Sequence, residues 1–141
     1  MKTGRPILLV EDDRIDIMTI ERCISDLNIS NPLDVAKNGL EALNHLKSGE
    51  NTKPSIILLD INMPKMNGHE FLATIKADPG LKRIPVIIMT TSEDAQDKTE
   101  SFNLGAAGYM IKPVDYKKFV EVVRAIDLYW TLSELSEDDE V

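Results

Sequence analysis

Polar residues able to do chemistry stand directly after short apolar runs. Glu11-Asp12-Asp13 follows Ile7-Leu8-Leu9-Val10, and Asp60 follows Ile56-Ile57-Leu58-Leu59. A third run, Pro85-Val86-Ile87-Ile88-Met89, leads into Thr90-Thr91-Ser92, and a fourth, Tyr109-Met110-Ile111, into Lys112-Pro113. If these runs are parallel strands of one sheet, the residues just beyond them converge at one edge. Carboxylates gathered there repel one another. At about 4 Å and an effective dielectric of about 20, each pair costs on the order of 4 kcal/mol. A divalent cation reverses that sign. An all-oxygen set with few protein ligands suits Mg²⁺, with Mn²⁺ as a substitute. Zinc would want His or Cys, and the two histidines, His45 and His69, fall at helical positions that ordinarily face solvent.

An anion fits on the far side of such a cation. Lys112 offers a compact ammonium and Thr90 a hydroxyl, each able to hold a phosphoryl oxygen. Asp60 lies between the acids and these donors, which makes it the natural nucleophile. A carboxylate can form an aspartyl phosphate, with catalysis supplied by positioning and charge neutralisation. The plain alternatives are a turn role for Asp60 and a helix cap at Asp12 or Asp13.

These residues need elements to position them. The uninterrupted apolar runs read as strands buried on both faces, the kind found inside a parallel sheet. Leu33-Asp34-Val35-Ala36 is more polar and suits a place near the sheet edge. Amphipathic helices alternate with the strands. Arg14 to Leu27 carries a stripe of Ile17, Ile20, Ile24 and Leu27. Asn38-Gly39-Leu40-Glu41 and Asn67-Gly68-His69-Glu70 have capping-box spacing. The first opens a helix with Leu40, Leu43 and Leu46 expected inward, and the second one with Phe71, Leu72 and Ile75. A less hydrophobic helix from Glu93 to Leu104 has Phe102 and Leu104 as its expected anchors. After Asp115 the last helix repeats Phe119, Val122, Val123, Ile126 and Trp130. Strands alternating with helices predict βαβ units and an α/β, doubly wound, five-stranded parallel sheet.

Bulk properties narrow the function. The chain has 141 residues and a formal net charge of −8, which argues against a nucleic-acid footprint. The single cysteine, Cys23, excludes an internal disulfide and suits a buried, hydrophobic role in a reducing compartment. No apolar run approaches the roughly 20 residues of a membrane span, and Met1–Pro6 has no signal-peptide core. The expectation is a soluble cytoplasmic domain with neither nucleic acid nor membrane as partner.

Taken together and in this order, four segments carry a resemblance: Ile-Leu-Leu-Val-Glu-Asp-Asp at 7–13, Leu-Leu-Asp-Ile-Asn-Met-Pro at 58–64, Pro-Val-Ile-Ile-Met-Thr-Thr at 85–91 and Gly-Tyr-Met-Ile-Lys-Pro at 108–113. Over residues 5–130 the sequence resembles the receiver domain of a two-component response regulator, with 131–141 an acidic tail expected to be disordered. The resemblance implies a (βα)5 flavodoxin-like fold with strand order 2-1-3-4-5. Residue by residue it makes Asp60 the phosphoacceptor, Glu11 and Asp12 the metal acids, and Asn62 a metal ligand through its backbone carbonyl. Thr90 and Lys112 become the phosphoryl-sensing pair, and Thr90 with Tyr109 the switch. The Lys112-Pro113 bond is often cis in such proteins. Glu11 stands where many members have Asp.

The implied function is a stand-alone regulator, not an enzyme in the ordinary sense. It accepts a phosphoryl group from the phosphohistidine of a histidine kinase or histidine phosphotransfer protein and promotes its own phosphotransfer and dephosphorylation. The Thr-Thr-Ser after the fourth strand and the Asp78–Ile84 connection resemble regulators that serve phytochrome-type histidine kinases. The Arg14–Leu27 helix is the implied kinase-docking surface. A homodimer through the fourth and fifth helices is an additional expectation, with Tyr129 and Trp130 as apolar surface, unless Trp130 closes the core. Three other readings compete. A haloacid-dehalogenase-like phosphatase would need an acid where Asn62 stands, and a phosphorylation-independent interaction module would not need the complete site. A flavodoxin-like FMN carrier would need a phosphate loop after the first strand, and none is present.

Overall fold

The computed structural model describes residues 4–132. Five parallel strands, β1 (Ile7–Val10), β2 (Leu33–Ala36), β3 (Ile56–Leu59), β4 (Val86–Thr90) and β5 (Gly108–Ile111), form one sheet in the order β2-β1-β3-β4-β5. Helices α1 (Arg14–Asp26), α2 (Gly39–Lys47), α3 (Gly68–Lys76), α4 (Ala95–Asn103) and α5 (Tyr116–Leu132) follow the strands in turn. The expected α/β class, strand order and alternation are all present.

Successive strand residues face opposite ways, so each buried strand feeds two cores. Leu8, Val10, Ile57, Leu59, Val86 and Ile88 pack with Phe71, Leu72 and Ile75 of α3 and with Ala42 and Leu43 of α2. On the opposite face Ile7, Leu9, Ile56, Leu58, Ile87 and Met89 pack with α1 and α5 through Ile20, Cys23, Phe119, Val123, Ile126 and Trp130. Cys23 is fully buried, as expected of a small hydrophobe. The register Val10↔Leu59↔Ile88 keeps strand ends level. Residues following β1, β3 and β4 therefore reach the same edge of the sheet.

Several helix expectations shift. Leu40 is 48% exposed, because α2 turns Gly39, Ala42 and Leu43 inward instead. The reason lies at Gly39, where a Cβ would come 2.7 Å from Met66 Cγ and 2.8 Å from its carbonyl oxygen, so the helix start is pressed onto that residue. In α4, Phe102 is 45% exposed and the buried residue is Ser101. Asp94 caps α4 by accepting the Gln96 N–H at 2.7 Å, so the helix begins later than residue 93. Trp130 is buried and closes the core, whereas Tyr129 is exposed. Helix α5 continues through Leu132, two residues into the stretch read as tail, and 133–141 lie outside the described residues. Among the described residues no helix is long and apolar enough to cross a membrane.

Candidate functional site

The site is assembled from strand ends and fixed by main-chain bonds. Glu11 N–H donates to Ala36 O at 2.9 Å, and Asp60 N–H donates to Val10 O at 3.0 Å. Lys112 N–H donates to Thr90 O at 2.8 Å. These three residues therefore have their backbones held by the neighbouring strand before their side chains are placed. Asp13 accepts the Ile15 N–H at 2.8 Å and the Asp16 N–H at 3.2 Å, which assigns it to capping α1. Its neighbours Glu11 and Asp12 are left for the site.

Glu11, Asp12 and Asp60 each bring a carboxylate oxygen within 4.8 Å of the other two. Glu11 and Asp60 are buried and Asp12 is exposed. Burial pushes the Glu11 carboxyl up to about 7, aided by the charge of Asp60 and opposed by the Lys112 hydrogen bond. Such crowding of hard oxygens, open to water on the Asp12 side, fits a divalent cation that retains water ligands. Asn62 lies two residues beyond Asp60 with an exposed side chain, so a contribution from it would come through its backbone.

Asp60 is oriented as well as buried. Its Oδ1 accepts the Ile61 N–H at 2.9 Å, and its Oδ2 stands 3.8 Å from Lys112 Nζ. Behind it, α3 begins in close contact: a Cβ on Gly68 would fall 2.3 Å from Asp60 O and 2.7 Å from Ile61 Cα. Only glycine allows that approach, and Gly68 N–H donates to Ile61 O at 2.9 Å.

Lys112 Nζ donates to Glu11 Oε1 and, at 2.8 Å, to Asp16 Oδ2. Burial alone would lower its pKa, but the bonds to Asp16 and Glu11 and the nearby Asp60 charge hold it above the ordinary lysine value. The ammonium stays charged. Asp16 is absent from the expected site. It sits on the first turn of α1, where an acid reads as a favourable helix-dipole residue, and its signal was its place one turn after the Glu11-Asp12-Asp13 run. Among the described residues no peptide bond is cis, so the Lys112–Pro113 bond is trans.

Thr90 is fully buried, and its Oγ1 accepts the Ser92 N–H at 3.2 Å. Ser92 ties this residue to α4, because its Oγ donates to Asp97 Oδ2 at 2.6 Å. Its carbonyl accepts the Tyr109 hydroxyl at 2.9 Å. Tyr109 is half-buried against the core on the α3 side of the sheet. His69, placed on the solvent side by sequence, instead meets Ser101 Oγ of α4 at 2.9 Å through Nε2.

A parallel sheet of this order, with an aspartate at the end of β3, acids after β1, and a lysine after β5, defines a class of phosphoryl-signalling domain. The chain belongs to that family: the response regulator receiver domain matches residues 7–124. It is 38% identical over 128 residues to response regulator Rcp1 of Synechocystis sp., covering 88% of this chain and 87% of that protein. Its fold is similar to the phosphorylated cyanobacterial phytochrome response regulator RcpA, with a TM-score of 0.87 at 33% identity over 94% of this chain and 98% of that one. The Mn²⁺-bound form of Rcp1 superposes with a TM-score of 0.85 at 35% identity, covering 92% and 97% of the two chains. The protein is thus a receiver domain of two-component signalling, a system in which the partner is a histidine kinase.

Proposed function

We propose that Asp60 accepts a phosphoryl group from a phosphohistidine in a Mg²⁺-dependent step. The carrying observation is the meeting of Glu11, Asp12 and Asp60 oxygens within 4.8 Å, beside the ammonium of Lys112. An Asp60 carboxylate oxygen attacks phosphorus, a P–O bond forms, and the P–N bond breaks. The leaving imidazole nitrogen keeps the bonding pair and takes a proton from water if its other nitrogen carries none, ending as neutral imidazole. Glu11, Asp12, Asp60 and the Asn62 carbonyl would hold the cation, which supplies neutralising charge and a seat for phosphoryl oxygens. The Mn²⁺ held by the related Rcp1 supports a divalent site, and Mg²⁺ is the ion we assign to it here.

Acetyl phosphate with Mg²⁺ should add one phosphate to the intact mass, and Asp60→Asn should abolish it. Equal labelling of that variant would overturn the assignment. Chelating the cation should also stop labelling, because repulsion among the carboxylates returns. The domain promotes its own phosphotransfer and dephosphorylation instead of turning over a separate substrate. Ser92 is short and its hydroxyl is turned to Asp97, so it does not orient an attacking water. The phosphoryl group should last minutes or longer.

The phosphoryl group adds roughly −1.5 to −2 of charge, drawing Thr90 and Lys112 toward Asp60. Thr90 is bonded through Ser92 to both Asp97 and Tyr109, so the face of α4, β5 and α5 responds. Tyr109 is already tethered to the loop by its hydroxyl, which makes breaking or keeping that bond the switch coordinate. The α1 residues Ile15 and Met18 are 74% and 56% exposed beside the site, and Val114 after Lys112-Pro113 is fully exposed. That apolar rim is the docking surface for a histidine kinase, or a histidine phosphotransfer protein, of the phytochrome-linked kind. Tyr129, Leu128 and Leu132 are exposed on α5 and support a homodimer through α4 and α5. Sedimentation of a monomer with and without phosphorylation would remove the dimer. The likeness to Rcp1 over most of both chains supports a response regulator of that kind, which we place in the cytoplasm.

A further inference from the structure

We infer that Asp16 is a positioning residue for Lys112, keeping its ammonium seated when Glu11 turns to a cation and an anion builds on Asp60. This rests on the phosphoacceptor reading of Asp60 and adds a residue that the sequence pattern leaves out.

An ammonium has three N–H donors and can rotate freely on a flexible stem. Here one donor goes to Glu11 and one to Asp16 Oδ2 at 2.8 Å. Asp60 Oδ2, at 3.8 Å, is too far for a hydrogen bond but close enough to attract. The third donor is therefore available toward Asp60. Phosphorus on that carboxylate would carry oxygens across the remaining gap.

The two occupied bonds differ in what threatens them. Glu11 belongs to the cluster of acids within 4.8 Å of one another, and a divalent cation there competes with Lys112 for its oxygens. Asp16 stands outside that cluster. Its bond to Lys112 is the one a cation leaves uncontested. Asp16 is itself held, because its N–H donates to the Asp13 cap at 3.2 Å and its carboxylate lies on the first turn of α1. The root of Lys112 is held by its N–H bond to Thr90 O. Asp16 thus fixes the far end of a side chain whose near end is already fixed. Lys112 is 5% exposed and Asp16 27% exposed, so water competes only partly for the pair.

The opposing view makes Asp16 a mere extra negative charge that repels incoming anions. The two views predict opposite signs. Asp16→Asn removes the charge and preserves shape. Under positioning, binding of beryllofluoride, a phosphoryl mimic, should weaken about fivefold or more at saturating Mg²⁺, a typical coupling between contacting groups. Under simple repulsion it should tighten. Asp16→Glu, which keeps a carboxylate on a longer stem, should recover part of the loss and guards against a folding artefact. In a Lys112→Met background Asp16→Asn should no longer weaken binding. The Lys112 ammonium resonance in ¹⁵N NMR with Mg²⁺ should be protected from solvent in the wild type and lose that protection in Asp16→Asn. Unchanged or tighter beryllofluoride binding by Asp16→Asn, or an equal loss without Lys112, overturns the inference. A wild type that fails to bind beryllofluoride with Mg²⁺ instead overturns the phosphoacceptor reading beneath it.

Discussion

Helices α3 and α4 are neighbours of equal length, nine residues each, yet they are attached by different forces. Helix α3 buries Phe71, Leu72 and Ile75 completely, opens with a reciprocal Asn67–Glu70 capping box, and presses Gly68 against the Asp60 backbone. Helix α4 buries only Ser101 and is held by polar contacts: Asp97 to Ser92, and Ser101 to His69. Burial of large apolar side chains stabilises by about 1.5–3 kcal/mol each, whereas a hydrogen bond contributes roughly 1 kcal/mol net. The contrast has a functional logic. Under the proposed function, the element packed behind Asp60 stays rigid, whereas the element tied to Thr90 through Ser92 moves, and polar contacts can be exchanged for others at small cost. A packed apolar face cannot.

The widest expected separation comes from aromatic truncation. Phe71→Ala should destabilise by about 3–5 kcal/mol, and Phe102→Ala by no more than about 0.5 kcal/mol, both read by urea unfolding. Comparable losses would break the contrast outright.

A pH experiment sharpens it next. The folded protein keeps a proton on Glu11 up to about 7, above the ordinary value of 4.5. Protonation of Glu11 therefore favours the fold, and its contribution is complete below 4.5 and is lost as pH rises through about 7. Without Mg²⁺, the stability of the wild type minus that of Glu11→Gln should fall as pH rises across that window. The local opening of α4, followed by amide exchange, should not follow this titration, because that opening leaves β1 and β3 folded.

Ser101→Ala comes third. It removes the bonds to Asp97 O and His69 and should lower the opening free energy of α4 by about 1–2 kcal/mol, with α3 exchange unchanged. The smallest effect belongs to Tyr109→Phe. Losing the hydroxyl bond to Ser92 O should cost about 0.5–1.5 kcal/mol and speed exchange at the β4–α4 connection. An equal loss of protection by α3 amides would show that the two helices share one cooperative unit.

Much of the molecule was legible in its amino acids because strand burial and chain order leave strong local marks. Runs such as Ile56–Leu59 fit a strand covered on both faces, and their alternation with helices dictates parallel connections. Residues directly after such strands must share an edge, so the meeting of Glu11, Asp12 and Asp60 followed from position alone. The caps at Asp13, Asn38 and Asn67 were equally local. What could not be read was rotation and reach. Leu40 and Phe102 have the composition of core residues, but the inward face of each helix is set by what it docks against, Met66 for α2 and a serine–histidine contact for α4. Asp16, on the first turn of α1, carries no local mark of its partner Lys112 after β5. A local pattern fixes which residues lie near one another along the chain, through φ, ψ and side-chain period. Which side chains meet across 96 residues, as Lys112 and Asp16 do, depends on the rigid-body placement of packed elements, and that was decided by the tertiary structure.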